Sequence, residues 1–173
     1  MSKVCILGDL HCGARGASPK FVDFFDKFFL DILFPYLIKN NINTILQTGD
    51  LFDTRKVLNV QALYDAKRYL FSRLEAHNIK MYTILGNHDI YFKNTVMVNS
   101  SSQVLGKYVD RGVVEIIEKP TEITFGKSKF LFVPWICSDN EADIRDSILK
   151  SDARYLMGHF ELKGFEMHEG QVA

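Results

Sequence analysis

Short apolar runs alternate with longer amphipathic stretches along most of the chain. The short runs predict strands, at residues 3–7, 43–48, 80–85, 113–117, 121–125, 129–134 and 154–157. Apolar residues at helical spacing predict helices, at residues 21–41, 60–78, 101–108 and 142–149. Pro35 is expected to kink the first helix, and Gly126 with Lys127 predicts a hairpin turn. Strands and helices in this alternation predict an α/β fold whose sheet is at least half parallel.

Four of the predicted strands end in a glycine that is followed by side chains able to bind a metal. The four segments read GDLHCG, GDLFD, GNHD and GHFEL, and their polar residues are Asp9, His11, Asp50, Asp53, Asn87, His88, Asp89 and His159. In open α/β sheets, ligands bind beyond the carboxyl ends of the strands. Four such ends, adjacent in one sheet, are therefore expected to bring these side chains to a single place.

Each of these residues also has a plainer interpretation when it is taken alone. The Gly-Asn pair of GNHD is typical of a tight turn, and Asp9 is typical of a cap after a strand. His11 could be a surface histidine, and His159 a hydrogen-bonded histidine of the core. An aspartate directly after a buried run, as at Asp50, is costly unless it has a partner. The four coincidences together favour a metal site.

The residue types narrow the choice of metal. Carboxylate, imidazole and amide ligands without a thiolate suit manganese, iron or zinc. Asp50 could bridge two ions because a carboxylate offers two oxygens. Two ions about 3.5–4 Å apart form the arrangement that cleaves phosphoesters.

Composition restricts the class of protein. The 173 residues suit one domain, residues 1–173, with 47% hydrophobic and 24% charged residues. The 21 basic and 21 acidic residues cancel, so any binding to nucleic acid must come from a local patch. Three unpaired cysteines and the lack of a signal peptide predict a reducing, cytoplasmic location. The most apolar region, residues 21–38, is interrupted by charged residues and Pro35, and it is not expected to cross a membrane.

The order GDLH, GDLFD, GNHD and GH resembles the calcineurin-like metallophosphoesterases. Within that superfamily, the segments LQTGDLFDTRK, TILGNHDIYFKN, LFVPWICSDN and MGHFELKGF are similar to SbcD-type recombination nucleases. That group includes the eukaryotic meiotic recombination nuclease and bacteriophage recombination endonuclease subunits, and the phage branch is the most similar. The resemblance implies a metallophosphoesterase-type β-sheet sandwich flanked by helices. For a phage-encoded protein it implies a location in the host cytoplasm.

The resemblance also implies a set of metal ligands. Asp9 and His11 would hold one manganese ion, and Asp50 would bridge to a second ion that Asn87 and His159 also bind. Mg²⁺, Fe²⁺ and Zn²⁺ are the alternative ions. The family pattern ends in Gly-His-x-His, which the chain lacks. The C-terminal part of the domain is therefore expected to be missing, which would leave the site under-coordinated and could leave this chain inactive.

His88 would be the catalytic acid that meets the departing oxygen, and Asp89 would hydrogen-bond the His88 ring. Asp53 would support the first metal site. Four cations on the loops that carry the motifs are candidates for DNA contact, although scattered cations are usually solvated; they are Arg15, Arg55, Lys56 and Lys93.

The implied function is a manganese-dependent 3′–5′ exonuclease and endonuclease subunit that processes DNA ends in recombination. Its implied partners are DNA, an SMC-like ATPase and a second copy of the chain. Val96, Met97 and Leu105 are candidates for the homodimer interface, with intramolecular packing as the alternative. The competing hypotheses are a phosphoprotein or nucleotide phosphatase, which shares the motifs, and a non-catalytic DNA-end-binding scaffold.

Overall fold

The first sheet of the protein is entirely parallel. The computed structural model describes residues 3–161, 164, 166–168 and 171–172. The sheet has the order β1–β2–β3–β4, and its strands are β1 (Cys5–Leu7), β2 (Thr44–Gln47), β3 (Lys80–Ile84) and β4 (Val114–Ile117). Because the strands are parallel, their carboxyl ends lie at one edge of the sheet. The GDLH, GDLFD and GNHD segments leave the sheet at this edge.

The fourth motif reaches the same region from a second sheet, whose order is β5–β6–β7. Strands β5 (Thr121–Phe125) and β6 (Ser128–Val133) form an antiparallel hairpin, and β7 (Tyr155–Gly158) pairs with β6 in parallel. The expectation that all four strand ends are adjacent in one sheet is therefore wrong. A helix connects β6 to β7, and this crossover returns β7 beside β6 rather than to the first sheet.

The long N-terminal helical region departs from regular geometry before Pro35. It consists of α2 (Pro19–Asp26), a π-helical segment (Lys27–Leu33) and α3 (Phe34–Lys39). Proline has no N–H to donate, and its ring would clash with the carbonyl group four residues earlier in a regular α-helix. The wider π-helical turn relieves this conflict, so the irregularity expected at Pro35 takes the form of a π-helical segment.

The remaining helices are short. They are α1 (Ala14–Ala17), α4 (Val60–Ala66), a second π-helical segment (Lys67–Phe71), α5 (Ser72–Ala76), α6 (Ser100–Val104), α7 (Gly106–Asp110) and α8 (Glu141–Lys150). A third sheet pairs β8 (Glu166–His168) with β9 (Gln171–Val172). Across the described ranges, no helix combines the length and the apolar character needed to cross a bilayer.

Two apolar interfaces hold the first sheet between the other layers. One face of it packs against the second sheet, through residues such as Leu46 and Phe132. The opposite face packs against the helices, where the rings of Phe29 and Tyr69 stack with centroids 5.1 Å apart. On the outside of the second sheet, α8 contributes the buried Ile144. The expected α/β sandwich flanked by helices is confirmed.

The candidate interface residues separate into buried and exposed groups. Leu105 is fully buried in the helical core, so it cannot contribute to a dimer interface, whereas Met97 is 83% exposed. In the phenylalanine-rich helix, Phe29 packs in the core as expected, but Phe24 is 67% exposed. In both segments, packing within the chain therefore accounts for some of the apolar residues and leaves others exposed to solvent.

Candidate metal centre

The site begins with the loops that leave β1 and β2, which are hydrogen-bonded to each other. The backbone N–H groups of Leu10 and His11 both donate to the carbonyl of Asp50, at 3.1 and 2.9 Å. His11 and Asp50 have φ values of 45° and 52°. Non-glycine residues adopt this left-handed conformation at an energetic cost, and such residues concentrate at functional sites. The strained backbone directs both side chains beyond the edge of the sheet.

Asp50 lies at the centre of the site and is only 3% exposed. Its Oδ2 atom is 3.6 Å from the Nε2 atom of His11 and 3.6 Å from the Nε2 atom of His159. Its Oδ1 atom accepts the backbone N–H of His88 at 2.8 Å. One carboxylate oxygen thus stands between two imidazoles that come from different sheets.

Two groups of potential ligands share Asp50. One combines Asp9, Asp50 and His159, and the other combines His11, Asp50 and His88. In each group the ligand atoms all lie within 4.8 Å of one another. Asp9 is therefore grouped with His159, whereas the family resemblance implies that Asp9 and His11 hold the same ion.

Asn87 belongs to the first of these groups by contact. Its Oδ1 atom lies 3.0 Å from the Nε2 atom of His159, whose Nδ1 atom lies 3.0 Å from the carbonyl of Thr48. A carbonyl oxygen can only accept, so Nδ1 carries the proton in the neutral ring and Nε2 presents a lone pair. This lone pair faces the oxygens of Asn87 and Asp50. A divalent cation would satisfy such a convergence of acceptors.

The second group contains an unsatisfied nitrogen. The Nδ1 atom of His11 is buried without a hydrogen-bond partner, and it lies 3.5 Å from the Oδ1 atom of Asp53. The Nδ1 atom of His88 lies 2.6 Å from the carbonyl of Asp53, so the Nε2 atom of His88 is free to face the site. The residues of the two groups include the carboxylates of Asp9 and Asp50 but no lysine or arginine that would neutralise them. The donor set fits divalent metal ions.

Asp89 has a different role from the one expected. Its carboxylate is fully buried and accepts backbone N–H groups of Asp50 (2.8 Å), Leu51 (3.1 Å) and Gly86 (2.8 Å). Burial raises the pKa of this carboxyl to about 6. The prediction that Asp89 hydrogen-bonds the His88 ring is wrong, because backbone donors occupy Asp89 and the carbonyl of Asp53 holds the ring. Asp89 instead ties the loop after β2 to the loop after β3.

Gln47 and Thr83 were not recognised from the sequence. Both are fully buried, and the Thr83 hydroxyl donates to the Gln47 Oε1 atom. The same oxygen accepts the Gly49 N–H at 3.1 Å, and the Gln47 Nε2 atom donates to the carbonyls of Gly8 and Gly49. This amide joins the ends of three neighbouring strands beneath the site. The available signal was a polar residue within each of two otherwise apolar strands, TILQ and KMYTI.

Two glycines permit the close approach of the loops. Gly49 has a φ of 100°, a conformation that suits glycine. A Cβ atom on Gly86 would lie 2.2 Å from the Oδ1 atom of Asp50 and 2.5 Å from its backbone nitrogen. Only glycine at position 86 therefore leaves room for the Asp50 carboxylate.

Gly86→Ala is expected to displace this carboxylate and to weaken manganese binding at least tenfold. The overlap should also lower the free energy of unfolding by about 1–3 kcal/mol. Calorimetric titration with Mn²⁺ and urea denaturation measure the two effects. Gly8→Ala is the matched control, since a Cβ atom there meets nothing within 4 Å. If the two variants have the same Mn²⁺ affinity and the same free energy of unfolding, the close approach of Gly86 to Asp50 does not position the carboxylate.

The four predicted DNA-contacting cations lie on loops around the site. Lys56 and Lys93 are exposed, and Arg55 is half-buried. Arg15 is exposed in the short turn α1, with a φ of 56°. Their contact with DNA remains a prediction.

One protein-family model matches nearly the whole chain, including the four motifs. The model of the calcineurin-like phosphoesterases matches residues 2–173. The chain belongs to the calcineurin-like phosphoesterase family. The resemblance seen in the sequence is thereby confirmed, and metal binding by carboxylate and histidine side chains is what this family leads one to expect of the site.

Among characterised proteins, this calcineurin-like phosphoesterase is similar to exonuclease subunit 1 of Enterobacteria phage T4. The two are 33% identical over 168 residues, which is 97% of this chain and 48% of the phage T4 protein. The chain therefore spans about half the length of that relative. The expected similarity to the phage branch is confirmed at this level.

One solved structure supports the fold. A protein of unknown function from Aquifex aeolicus has a TM-score of 0.53 and 17% identity, over 92% of this chain and 80% of its own. A nuclease from Pseudomonas putida has a TM-score of 0.46 and 17% identity, over 76% of this chain and 54% of its own. Only the first score is high enough to indicate a shared fold.

Proposed function

We propose that this phosphoesterase is the nuclease part of a DNA-processing subunit and hydrolyses phosphodiesters with two manganese ions. The observation that carries the proposal is the position of Asp50. One of its oxygens lies 3.6 Å from each of two histidines, and each histidine belongs to a separate group of ligands. A carboxylate shared by two groups of ligands would suit a pair of closely spaced ions, the arrangement that a two-metal phosphoesterase uses.

Five side chains would hold the ions: Asp9, His11, Asp50, Asn87 and His159. Two bound divalent ions would supply an activated hydroxide and would offset the negative charge that develops on the phosphoryl oxygens. The set contains no thiolate; the thiol of Cys12 is buried, and burial raises its pKa to about 12. A mixed oxygen and nitrogen set suits manganese, with Mg²⁺, Fe²⁺ or Zn²⁺ as alternatives.

His88 is proposed as the general acid that protonates the departing oxygen. Its ring is held through Nδ1 by the carbonyl of Asp53 at 2.6 Å, which leaves Nε2 available for proton transfer. Its ring centroid is 5.0 Å from that of His11, at an interplanar angle of 89°. A fixed ring beside the ligands suits proton transfer to a leaving oxygen. Asp53 therefore acts as a positioning residue through its backbone.

DNA is proposed as the substrate, with 3′–5′ exonuclease and endonuclease activity in DNA-end processing during recombination. Support comes from the 33% identity to a phage protein named as an exonuclease subunit. The proposed partners are an SMC-like ATPase and a second copy of the chain. The exposed Val60, Tyr64 and Met97 provide apolar surface that a second copy could cover.

The experiment that tests this function compares two substrates in the presence of Mn²⁺. We expect cleavage of end-labelled duplex DNA, and chelation of the metal should abolish it. A phosphomonoester such as p-nitrophenyl phosphate serves as the second substrate. Hydrolysis of the monoester without cleavage of DNA would support a phosphatase, the alternative function. Binding of DNA ends without hydrolysis of either substrate would support a non-catalytic scaffold.

A further inference from the structure

Two exposed aromatic rings follow the GNHD loop directly. Tyr91 is 40% exposed and Phe92 is 49% exposed. Their ring centroids are 4.7 Å apart, with an interplanar angle of 73°. The backbone N–H of Tyr91 donates to the carbonyl of Val98 at 2.8 Å, so the pair projects from a hydrogen-bonded loop. Neither ring belongs to the apolar clusters that form the core.

One cation contacts this aromatic pair, and two more lie on the same loops. The Nζ atom of Lys56 lies 5.7 Å from the centroid of the Tyr91 ring, and Arg55 and Lys93 lie on the same two loops. Residues 54–60 and 90–99 contain no aspartate or glutamate. The chain as a whole has no net charge, so these loops form a local positive region that would attract a polyanion.

The aromatic pair is close to the metal centre. Tyr91 follows His88 by three residues, and Lys56 follows Asp53 by three, which corresponds to a chain reach of roughly 10 Å. The contact between His88 Nδ1 and the carbonyl of Asp53, at 2.6 Å, joins the two loops. Between the loops lies a cleft of about 160 Å³, lined in part by Arg55, Lys56 and Tyr91. A nucleic-acid strand bound at the metal centre would need to extend only this short distance to reach the aromatic pair.

We propose that Tyr91 and Phe92 form a stacking surface for the bases of single-stranded nucleic acid, while Arg55, Lys56 and Lys93 contact its phosphates. Aromatic side chains combined with cations along a backbone path are the usual means of binding single strands. The absence of acidic residues in both loops favours nucleic acid over a protein partner. This inference rests on the proposed function. It explains how the protein would distinguish a nucleotide chain, which has bases to stack, from a small phosphoester.

The test measures binding without divalent ions, so that no cutting occurs. Fluorescence anisotropy compares a labelled oligothymidylate with an abasic oligonucleotide of equal length. The wild-type protein should bind the oligothymidylate roughly 5- to 150-fold more tightly, the range expected for one stacked base. The double variant Tyr91→Ala/Phe92→Ala should lose this preference and keep its affinity for the abasic strand. Tyr36→Ala, at an exposed tyrosine of α3, is the matched control and should retain the preference.

The possible outcomes separate the inference from the function on which it rests. If the wild-type protein binds both oligonucleotides equally, or if the double variant keeps the preference, the stacking surface is refuted while the nuclease proposal stands. If the wild-type protein binds neither oligonucleotide but cuts duplex DNA with Mn²⁺, the stacking surface is refuted while the nuclease proposal stands; if it also fails to cut duplex DNA, both are refuted. Urea denaturation verifies that the double variant is folded as stably as the wild-type protein. A change of oligomeric state in that variant would identify the pair as a protein contact and overturn the inference.

Discussion

Asp50→Asn is expected to abolish binding of both metal ions and to eliminate hydrolysis. In the wild-type protein the Asp50 Oδ1 atom accepts the His88 backbone N–H at 2.8 Å. The asparagine keeps an oxygen that can accept this hydrogen bond, so the loop should retain its conformation. It removes the charged oxygen that lies 3.6 Å from both His11 and His159. Loss of the shared ligand should affect both groups at once. Titration with Mn²⁺ followed by elemental analysis measures the number of bound ions.

The control for this variant is Asp65→Asn. Asp65 is also buried, but it contacts Gln61 and Arg68 on α4 and the adjoining helical segment, away from the site. That substitution should lower stability without reducing the number of ions bound. An Asp50→Asn protein that still holds two manganese ions would contradict the bridging role.

His88→Ala is expected to lower turnover by about 10²–10⁴-fold, the usual contribution of a general acid or base. The affinity for Mn²⁺ should stay within a few-fold of the wild-type value. The comparison is informative because the His88 ring also lies within reach of His11 and Asp50 as a ligand. Steady-state kinetics and a metal titration on the same preparation measure both quantities. His77→Ala, at a histidine that packs on Phe34, is the control and should change neither quantity.

The leaving group provides a second criterion for His88. A phosphodiester that releases p-nitrophenolate needs little protonation, whereas DNA releases a basic alkoxide. The defect of His88→Ala should therefore be much smaller with the p-nitrophenyl substrate than with DNA. Parallel loss of metal affinity and of activity on both substrates would identify His88 as a ligand instead.

The strand ends of the site were predictable because each carries a local signal. A glycine after an apolar run marks the end of a strand, and a polar side chain after it is conspicuous, as at Asp50. The sheet that contains the fourth strand end was not predictable in this way. His159 follows β7, whose pairing with β6 depends on a crossover through α8 rather than on the sequence of β7 itself.

The hydrogen-bond partners of the site residues were harder to predict than the identity of those residues. Asp89 and His88 are neighbours in sequence, yet the carboxylate turns inward to three backbone donors while the ring contacts Asp53. Adjacent residues in a turn point in different directions, so the contact with the His88 ring that the family resemblance implied for Asp89 does not form. Gln47 was overlooked because its function depends on Gly8 and Thr83, which only the fold brings near.

The measurement that tests the two-metal site most directly is anomalous X-ray diffraction from crystals of the protein grown with Mn²⁺. We expect two anomalous peaks about 3.5–4 Å apart. One should lie between Asp9, Asp50 and His159, and the other beside His11 and Asp50. A single peak, or two peaks without Asp50 between them, would contradict the bridged two-metal centre.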